Sequence, residues 1–314
     1  MSRFAIAGIQ MHITTHRNLE EMRQRLEILF HLYPWVQMVV FSELAAHGPA
    51  KHAAQPMDGS FEREFCEMAR RYDTWLIPGS YFEKLDGAIY NTTPVINPAG
   101  EVVTRYRKMF PFTPYEDGVT PGREFCVFDV PGAGRFGVSI CYDLWFPEVT
   151  RTLTSMGAEV IINPVLASFV DRPADLAIAQ GSAAMFQSYI FHINGLLAGG
   201  NGYSMVIDPA GQILHRGNVQ EEMIPIEVDF DLVRRQRRRG ILNMGQPLKS
   251  FRDNSVEFPV YQPGFDRGYL DSLGPLQKPG RPGPTPSAGN HTGPVDPVEV
   301  DIVPVPPKPR KKAG

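Results

Sequence analysis

The hydrophobic positions change their period along the chain, and the change predicts strands interleaved with helices. Short runs rich in β-branched and aromatic residues predict buried strands. These runs lie at 4–11, 36–41, 74–79, 89–96, 102–108, 125–130, 135–140, 159–165, 189–194, 203–208, 213–216 and 223–228. Apolar residues three and four positions apart predict helices at 18–32, 61–72, 147–156 and 173–187. This mixture is typical of an α/β fold in which helices cover sheets, and the period alone leaves one sheet or two open.

Turn residues connect several of the predicted strands into hairpins. The segments 97–100, 131–134 and 209–211 place Pro, Gly or Asn between two apolar runs, which predicts tight connections. A basic helix is expected after the last strand, with Asp231 as its N-cap.

Three predicted strands end at a residue that can take part in catalysis. One apolar run stops on Glu43, a second ends at Lys108 and a third leads to Cys141. Pro147 suits the first position of a helix. Cys141 is therefore expected close to backbone N–H groups, which favour a thiolate and can bind the oxygen of a carbonyl under attack. Taken by itself, the cysteine also fits the alternative of a buried, unreactive thiol.

Four short motifs give these residues a family context. They are F-S-E-L at 41–44, Y-R-K at 106–108, C-Y-D-L-W-F-P-E at 141–148 and S-M-V-I-D-P-A-G at 204–211. Their order and separation resemble the nitrilase, or carbon–nitrogen hydrolase, superfamily over about residues 3–239. The resemblance implies a four-layer α-β-β-α sandwich of two facing sheets, with subunits that join so that helices cover helices.

The chemistry of the three strand-end residues fits an amidase. An ordinary thiol is only about 3% ionised at pH 7, so the nucleophile Cys141 needs a base or a cation beside it. Glu43 is expected to be that base, and Lys108 to hold the other two groups and donate to the oxyanion. The Tyr142 N–H is the expected second oxyanion donor, and no metal or organic cofactor is required. The alternative makes Glu43 and Lys108 a structural ion pair.

The segment after Lys108 resembles the aliphatic amidases and formamidases. In that pattern a second glutamate follows the lysine at the interval of Glu116, helps to orient substrate and is needed for turnover. Phe112 stands where those relatives carry an aromatic wall residue. Trp145 is expected to face the pocket, with a core or interface position as its alternative, and a solvated loop acid is the alternative for Glu116.

Departures from the family pattern leave the substrate open. Many relatives have arginine where Trp145 stands, and Tyr142-Asp143 do not match the tryptophan and glutamate that follow the cysteine in strict nitrilases. We expect a small or medium neutral carboxamide as substrate, because no Arg or Lys is identifiable near the pocket. The alternatives are an N-carbamoyl amine or amino-acid hydrolase, a nitrilase, and a catalytically silent assembly subunit.

Composition limits the expected partners. The chain has 314 residues, 43% of them hydrophobic, and a formal net charge of −3, so nothing suggests a nucleic acid or a membrane surface as partner. No apolar segment approaches the length of a membrane span. The three scattered cysteines suit a reducing cytoplasm. A homo-oligomer is expected, and the basic run 234–239 is interpreted as a solvated helix face or an intersubunit contact.

The character of the chain changes towards its end. Residues 1–240 are expected to form the hydrolase domain. Residues 241–273 keep aromatic residues without a clean period, which predicts an extended arm packed on the body or on a neighbouring subunit. Residues 274–314 are dominated by proline, glycine and charge, which predicts disorder.

Overall fold

The computed structural model describes residues 3–113, 115–168 and 172–276. Within them the strands form two large sheets and a short ribbon. The strands are β1 (Arg3–Gln10), β2 (Met38–Phe41), β3 (Trp75–Ile77), β4 (Tyr81–Leu85), β5 (Ala88–Ile96), β6 (Val102–Arg107), β7 (Cys126–Val130), β8 (Gly134–Val138), β9 (Val160–Val165), β10 (Tyr189–Asn194), β11 (Leu196–Leu197), β12 (Gly200–Asn201), β13 (Met205–Ile207), β14 (Ile213–Arg216) and β15 (Glu222–Asp229).

The helices follow the predicted amphipathic segments and add short ones near the end of the described chain. They are α1 (Leu19–Leu32), α2 (Ser60–Arg71), α3 (Pro147–Ser155), α4 (Arg172–Phe186), α5 (Phe230–Arg239), α6 (Pro247–Asp253) and α7 (Gly268–Ser272). Short 3-10 helices lie at Lys51–Ala53, Cys141–Trp145 and Pro259–Tyr261. Of the helices in the described part of the chain, none combines the length and the apolar character that crossing a bilayer requires.

The first sheet has the strand order β15-β1-β2-β3-β5-β4, and β6 also pairs with β5. Strands β1, β2 and β3 run parallel, whereas β15 pairs antiparallel with β1. The second sheet has the order β14-β13-β10-β9-β8-β7, with β8, β9 and β10 parallel. Strands β11 and β12 form the separate ribbon.

Alternation along the central strands shows how the layers stack. In β2, Val40 packs between the two sheets, while its neighbour Val39 faces α1 and α2 on the outside of the first sheet. In β9, Ile162 lies between the sheets and Ile161 faces α3 and α4. Because these strands are apolar on both faces, each is covered on both sides. The predicted four-layer α-β-β-α sandwich is confirmed.

The three predicted hairpins are present as β5–β6, β7–β8 and β13–β14. Strand β4 was not predicted, because its sequence mixes buried and exposed positions without a strong apolar run. The predicted helix cap was wrong: Asp229, not Asp231, caps α5, and its side chain accepts hydrogen bonds from the Asp231 and Leu232 N–H groups. Asp231 is itself a first-turn residue.

The basic run of α5 is only partly a solvated face. Arg234 pairs with Glu159 at 2.8 Å, and Arg237 donates to the Gln187 carbonyl at 3.0 Å. These contacts attach α5 to the end of the second sheet within the same chain.

The segment beyond α5 carries its aromatic side chains largely in solvent. Phe251, Phe258 and Phe265 are 40–43% exposed, and Tyr269 is 77% exposed. Two contacts attach the segment to α3: the Tyr261 hydroxyl donates to Glu148 at 2.7 Å, and the Phe251 ring lies 4.2 Å from the Arg151 guanidinium carbon. From residue 277 onwards, the tail predicted to be disordered lies outside the described residues.

Candidate active site

The three predicted catalytic residues meet where strands of both sheets end. Glu43 comes two residues after β2, and Lys108 follows β6 directly. Cys141 opens the 3-10 helix Cys141–Trp145, just beyond β8 of the second sheet. Glu43 is 3% exposed and Lys108 1%, while Cys141 is partly exposed. The sandwich therefore brings together residues that lie 65 positions apart in the case of Glu43 and Lys108.

Each oxygen of Glu43 has a separate set of donors. Oε1 accepts a hydrogen bond from Lys108 Nζ at 2.8 Å. Oε2 accepts from the Leu166 N–H at 3.0 Å. Lys108 thus holds one oxygen of Glu43, and the carboxylate lies near enough to the Cys141 thiol to raise its pKa, as a base for that thiol must.

Glu116 joins the same cluster, as the sequence predicted for its position. Its Oε2 accepts from Lys108 Nζ at 2.6 Å and from the Phe112 N–H at 2.6 Å. The side chain is 12% exposed. It is therefore a buried partner of Lys108 and not a solvated loop acid.

The backbone at Cys141 turns sharply. Its φ of +48° lies in the left-handed region, which non-glycine residues enter at a cost and which clusters at functional sites. Asp143 holds the turn, because its carboxylate accepts from the Ile140 N–H at 3.0 Å and from the Phe110 N–H at 2.8 Å. The first N–H groups of such a turn have no acceptor within it, which suits the expected role of the Tyr142 N–H.

The electrostatic environment separates the two carboxylates. Burial raises the pKa of Glu43, and Glu116 raises it further, against the lowering effect of Lys108. Burial also acts on Glu116, but Lys108 outweighs it and the pKa of Glu116 is lowered. Two carboxyl groups whose pKa values are pushed apart indicate one proton acceptor and one permanent anion.

The pKa values of the other two groups follow from the same charges. Burial opposes the charge of Lys108, but Glu43, Cys141 and Glu116 together raise its pKa well above the ordinary value. Burial and the Glu43 carboxylate raise the pKa of Cys141 well above the ordinary thiol value, and Lys108 only partly compensates. The resting site therefore holds a thiol, with an ammonium and a base beside it.

Aromatic rings stand next to the nucleophile. The centroid of Tyr142 lies 5.0 Å from that of Phe112 and 5.7 Å from that of Trp145. Tyr115 stacks on Phe112 at 5.2 Å. The structure thus brings the three predicted substrate-binding residues into one aromatic wall, which we call the Tyr142 wall.

A buried polar network fixes one end of this wall. The Trp145 indole N–H donates to Asp175 Oδ1 at 3.0 Å. Asp175 Oδ2 contacts His192 at 2.8 Å and pairs with Arg172. Burial opposes the charge of Asp175, but His192, Arg172 and Trp145 lower its pKa to about 2. Arg172, which the sequence analysis did not identify, thus lies behind Trp145 and pairs with Asp175.

Two polar residues of the site escaped the sequence analysis. Asp143 stands inside the C-Y-D-L-W-F-P-E motif, but nothing in the sequence shows which N–H groups it binds. Asn91 lies in β5, is fully buried and contacts both glutamates. The sequence signal that could have identified Asn91 is a polar residue inside an otherwise apolar strand run. In the described residues, no group of three or more His, Cys, Asp and Glu side chains is placed to hold a metal ion.

The fold is a two-sheet sandwich that brings Glu43, Lys108 and the segment of Cys141 together at the ends of its strands. Comparison with known proteins agrees, because the model of the carbon–nitrogen hydrolase family matches residues 5–238. The chain belongs to this family, within the nitrilase superfamily. The predicted amidase-like membership is thereby confirmed.

Named relatives point in the same direction. Nitrilase homolog 2 of Dictyostelium discoideum is 30% identical over 197 residues, which are 57% of this chain and 60% of that protein. The human omega-amidase NIT2 is 26% identical over 56% of this chain and 69% of its own. The human deaminated glutathione amidase is 27% identical over 66% of this chain and 73% of its own. The match thus spans less than two thirds of the Dictyostelium relative.

Solved structures share the fold. A carbon–nitrogen hydrolase from Helicobacter pylori G27 has a TM-score of 0.71 and 23% identity, covering 87% of this chain and 99% of its own. An amidase from Nesterenkonia sp. has a TM-score of 0.66 and 20% identity, covering 75% of this chain and 94% of its own.

Proposed function

We propose that this chain is an amidase that hydrolyses small or medium neutral carboxamides to a carboxylate and ammonia through a thioester on Cys141. The observation that carries the proposal is the placement of Glu43, whose Oε1 lies 2.8 Å from Lys108 Nζ while the charges of both groups act on the Cys141 thiol. A base, a cation and a nucleophile within one buried cluster can do acyl transfer.

The first half-reaction forms the thioester. Glu43 takes the thiol proton as the sulfur bonds to the amide carbon, and the carbonyl electron pair moves onto oxygen. Two of the three Lys108 donors bond Glu43 and Glu116, and the third is assigned to this oxyanion together with the Tyr142 N–H. Protonated Glu43 then gives its proton to the nitrogen, the C–N bond breaks, and ammonia leaves.

The second half-reaction releases the acid. Glu43 takes a proton from water as the water oxygen bonds to the thioester carbon, and the same donors hold the new oxyanion. The C–S bond then breaks, the sulfur takes the proton back from Glu43, and the carboxylic acid leaves. Glu43 thus returns to its starting state after each half-reaction.

The surroundings of Cys141 support a neutral acyl group. The Tyr142 wall offers aromatic surface to the substrate. Two positively charged side chains of this region already form ion pairs: Lys108 with the two glutamates, and Arg172 with Asp175. A substrate carboxylate would meet a cluster that already holds two glutamates on one lysine, and this repulsion disfavours it.

Ammonia release from a matched panel tests the proposal. Butyramide and succinamate have the same chain length, but only succinamate carries a carboxylate. Butyramide is also the ligand named for a mutant of the Nesterenkonia amidase. We expect ammonia from butyramide at a higher kcat/KM than from succinamate, and none from the Cys141→Ala variant.

Three results would contradict the proposal. A preference for succinamate would refute the neutral substrate class. Turnover of N-carbamoyl compounds without turnover of any amide would assign the site to a ureido carbon instead. A chain that turns over neither would be an assembly subunit.

A further inference from the structure

Asn91 forms hydrogen bonds with Glu43, Glu116 and Lys108, the three charged residues of the cluster. Its side-chain N–H₂ donates to Glu43 Oε1 at 2.8 Å and to Glu116 Oε1 at 2.9 Å. Its main-chain carbonyl accepts the Lys108 N–H at 2.8 Å. This one residue of β5 therefore connects the two glutamates through its side chain and the lysine through its backbone.

The hydrogen-bond pattern defines what the amide group does. Both contacted atoms are carboxylate oxygens, which accept but do not donate when ionised, so the atom between them is the nitrogen. The nitrogen donates one hydrogen bond to each glutamate. Its hydrogens, which carry partial positive charge, therefore lie between two carboxylates that repel each other. Lys108 bridges the same two glutamates, from Glu43 Oε1 to Glu116 Oε2.

These hydrogen bonds make the two oxygens of Glu43 different as proton acceptors. Oε1 accepts from both Lys108 and Asn91, so its lone pairs are occupied. Oε2 accepts from the Leu166 N–H. A proton from the Cys141 thiol is therefore directed to Oε2.

Burial argues against a purely structural role for Asn91. The side chain is fully buried, and within the described chain its Oδ1 has no hydrogen-bond partner. An unsatisfied buried oxygen costs stability, and an apolar residue at this strand position would avoid that cost. The amide is thus placed for its nitrogen, which serves the two carboxylates.

We propose that Asn91 is a positioning residue that holds Glu43 and Glu116 in fixed relation and directs the thiol proton to Glu43 Oε2. This inference rests on the proposed base role of Glu43. The other charged and titratable groups around the pair are Lys108, the Cys141 thiol and Asp143.

Asn91→Leu tests the proposal, because leucine has the branched shape of asparagine and removes its donor. We expect kcat on the best amide to fall about 100-fold with little change in KM, because a small displacement of a positioned group costs that much and Asn91 does not contact substrate. The matched control is Thr93→Val, on the same face of β5, whose hydroxyl donates to the Gly79 carbonyl. It should keep near-normal kcat.

A second readout is independent of substrate. Infrared spectroscopy during a pH titration follows the protonated-carboxyl bands, which are assigned by their loss in Glu43→Gln and Glu116→Gln. Because a donor to a carboxylate favours the ionised form, Asn91→Leu should raise the pH at which both bands appear. The bands of Thr93→Val should titrate as in the wild type.

Asn91→Asp adds a signature that packing alone would not produce. A third carboxyl group between two carboxylates titrates at a raised pKa, and its protonated form donates one hydrogen bond where the amide donates two. Relative to the wild type, turnover of this variant should fall as the pH rises through that pKa, whereas Asn91→Leu should be slow throughout. If Asn91→Leu does not fold, the aspartate variant carries the test.

The outcomes separate this proposal from the proposed function. Unchanged carboxyl bands in Asn91→Leu, or kcat within threefold of the wild type, would overturn the role of Asn91. Absence of amide turnover in the wild type would instead overturn the proposed function, and the infrared comparison would still decide whether Asn91 controls the two glutamates.

Discussion

The Tyr106 hydroxyl donates a 2.7 Å hydrogen bond to Asp143 Oδ2 in the interior of the sandwich. Tyr106 lies two residues before Lys108 in the first sheet, and Asp143 lies two residues after Cys141 beyond the second. The bond therefore fixes the segment that carries the ammonium relative to the turn that carries the thiol. Both partners are fully buried, so water cannot replace either of them.

Replacing Asp143 by asparagine should weaken this connection. The carboxylate accepts hydrogen bonds from Tyr106, Ile140 and Phe110, whereas an amide turns an N–H₂ group towards one of these donors. We expect the free energy of unfolding to fall by about 1–3 kcal/mol and kcat to fall as well. Denaturant unfolding and ammonia release measure the two effects. Asp129→Asn, which breaks an exposed pair with Arg135, is the control and should change stability little. Equal effects of the two variants would contradict the role of Asp143.

Cys141→Ala should abolish hydrolysis without unfolding the protein. Mass spectrometry of the wild type quenched during turnover of a slow amide should show an acyl adduct on Cys141. Cys126 is buried, burial raises its pKa to about 11, and its thiol contacts the Thr104 hydroxyl at 3.8 Å where Cys141 has Glu43 and Lys108 nearby, so it is a poor nucleophile. Burial likewise raises the pKa of Cys66. An adduct on either of these cysteines would refute the assignment.

Substitution of Glu43 and Lys108 should move the pKa of the Cys141 thiol in opposite directions. Burial raises this pKa most. The Glu43 carboxylate raises it further, and the Lys108 ammonium lowers it. Glu43→Gln should therefore let the thiolate form at lower pH, and Lys108→Met should require higher pH. The thiolate absorbance in the ultraviolet, followed against pH, measures both. Each variant should also lose about 100-fold or more in kcat. Shifts of the same sign in both variants would exclude this charge arrangement.

Glu116→Gln should separate turnover from reactivity of the thiol. Glu116 Oε2 holds Lys108 and the Phe112 N–H, so its loss disturbs the donor to the oxyanion and one residue of the Tyr142 wall. We expect amide turnover to collapse while iodoacetamide still alkylates Cys141.

For one acyl group, the wild type should hydrolyse the amide much faster than the nitrile, because Glu116 provides a second carboxyl group that helps to orient the leaving nitrogen of an amide. Near-normal amide turnover in Glu116→Gln, or a better nitrile substrate, would refute this interpretation.

Glu116 should also control the acid side of the pH–activity profile. Glu43 must be ionised to accept a proton, and its pKa lies above its ordinary value of 4.5, partly because of Glu116. Activity of the wild type should therefore fall with decreasing pH while the pH is still above that value. Removing the charge of Glu116 lowers the pKa of Glu43, so the residual activity of Glu116→Gln should persist to lower pH. The acid limb of kcat/KM reports this shift.

Truncation tests the arm and the predicted homo-oligomer. Removing residues 277–314 should leave the thermal midpoint and the activity unchanged, as their composition predicts. Removing residues 241–314 should lower both, because it deletes the Tyr261 contact to Glu148 and the Phe251 contact to Arg151 on α3. Light scattering should show an oligomer for the full chain and for the shorter truncation. A monomeric full chain would refute the oligomer, and loss of activity in the shorter truncation would give the tail a role.

Local pattern was sufficient to find the candidate catalytic residues. Glu43, Lys108 and Cys141 each follow a strongly apolar strand run and stand within a recognisable motif, and Glu116 follows Lys108 at a family interval. A strand run and its turn depend on neighbouring residues, so the sequence determined the helices α1 to α5, the three hairpins and the family directly, but not the short helices α6 and α7.

Tertiary structure decided how these residues meet. The period of an apolar strand does not show whether its second face meets helices or another sheet, and the pairing of β5 with β6 beside β2 depends on contacts between distant segments. Asn91, Asp143 and the pairing of Arg172 with Asp175 were therefore not predictable, because the meaning of a buried polar residue depends on its partners. The sequence alone determined which side chains are the catalytic candidates, and packing between the two sheets decided which of their atoms touch.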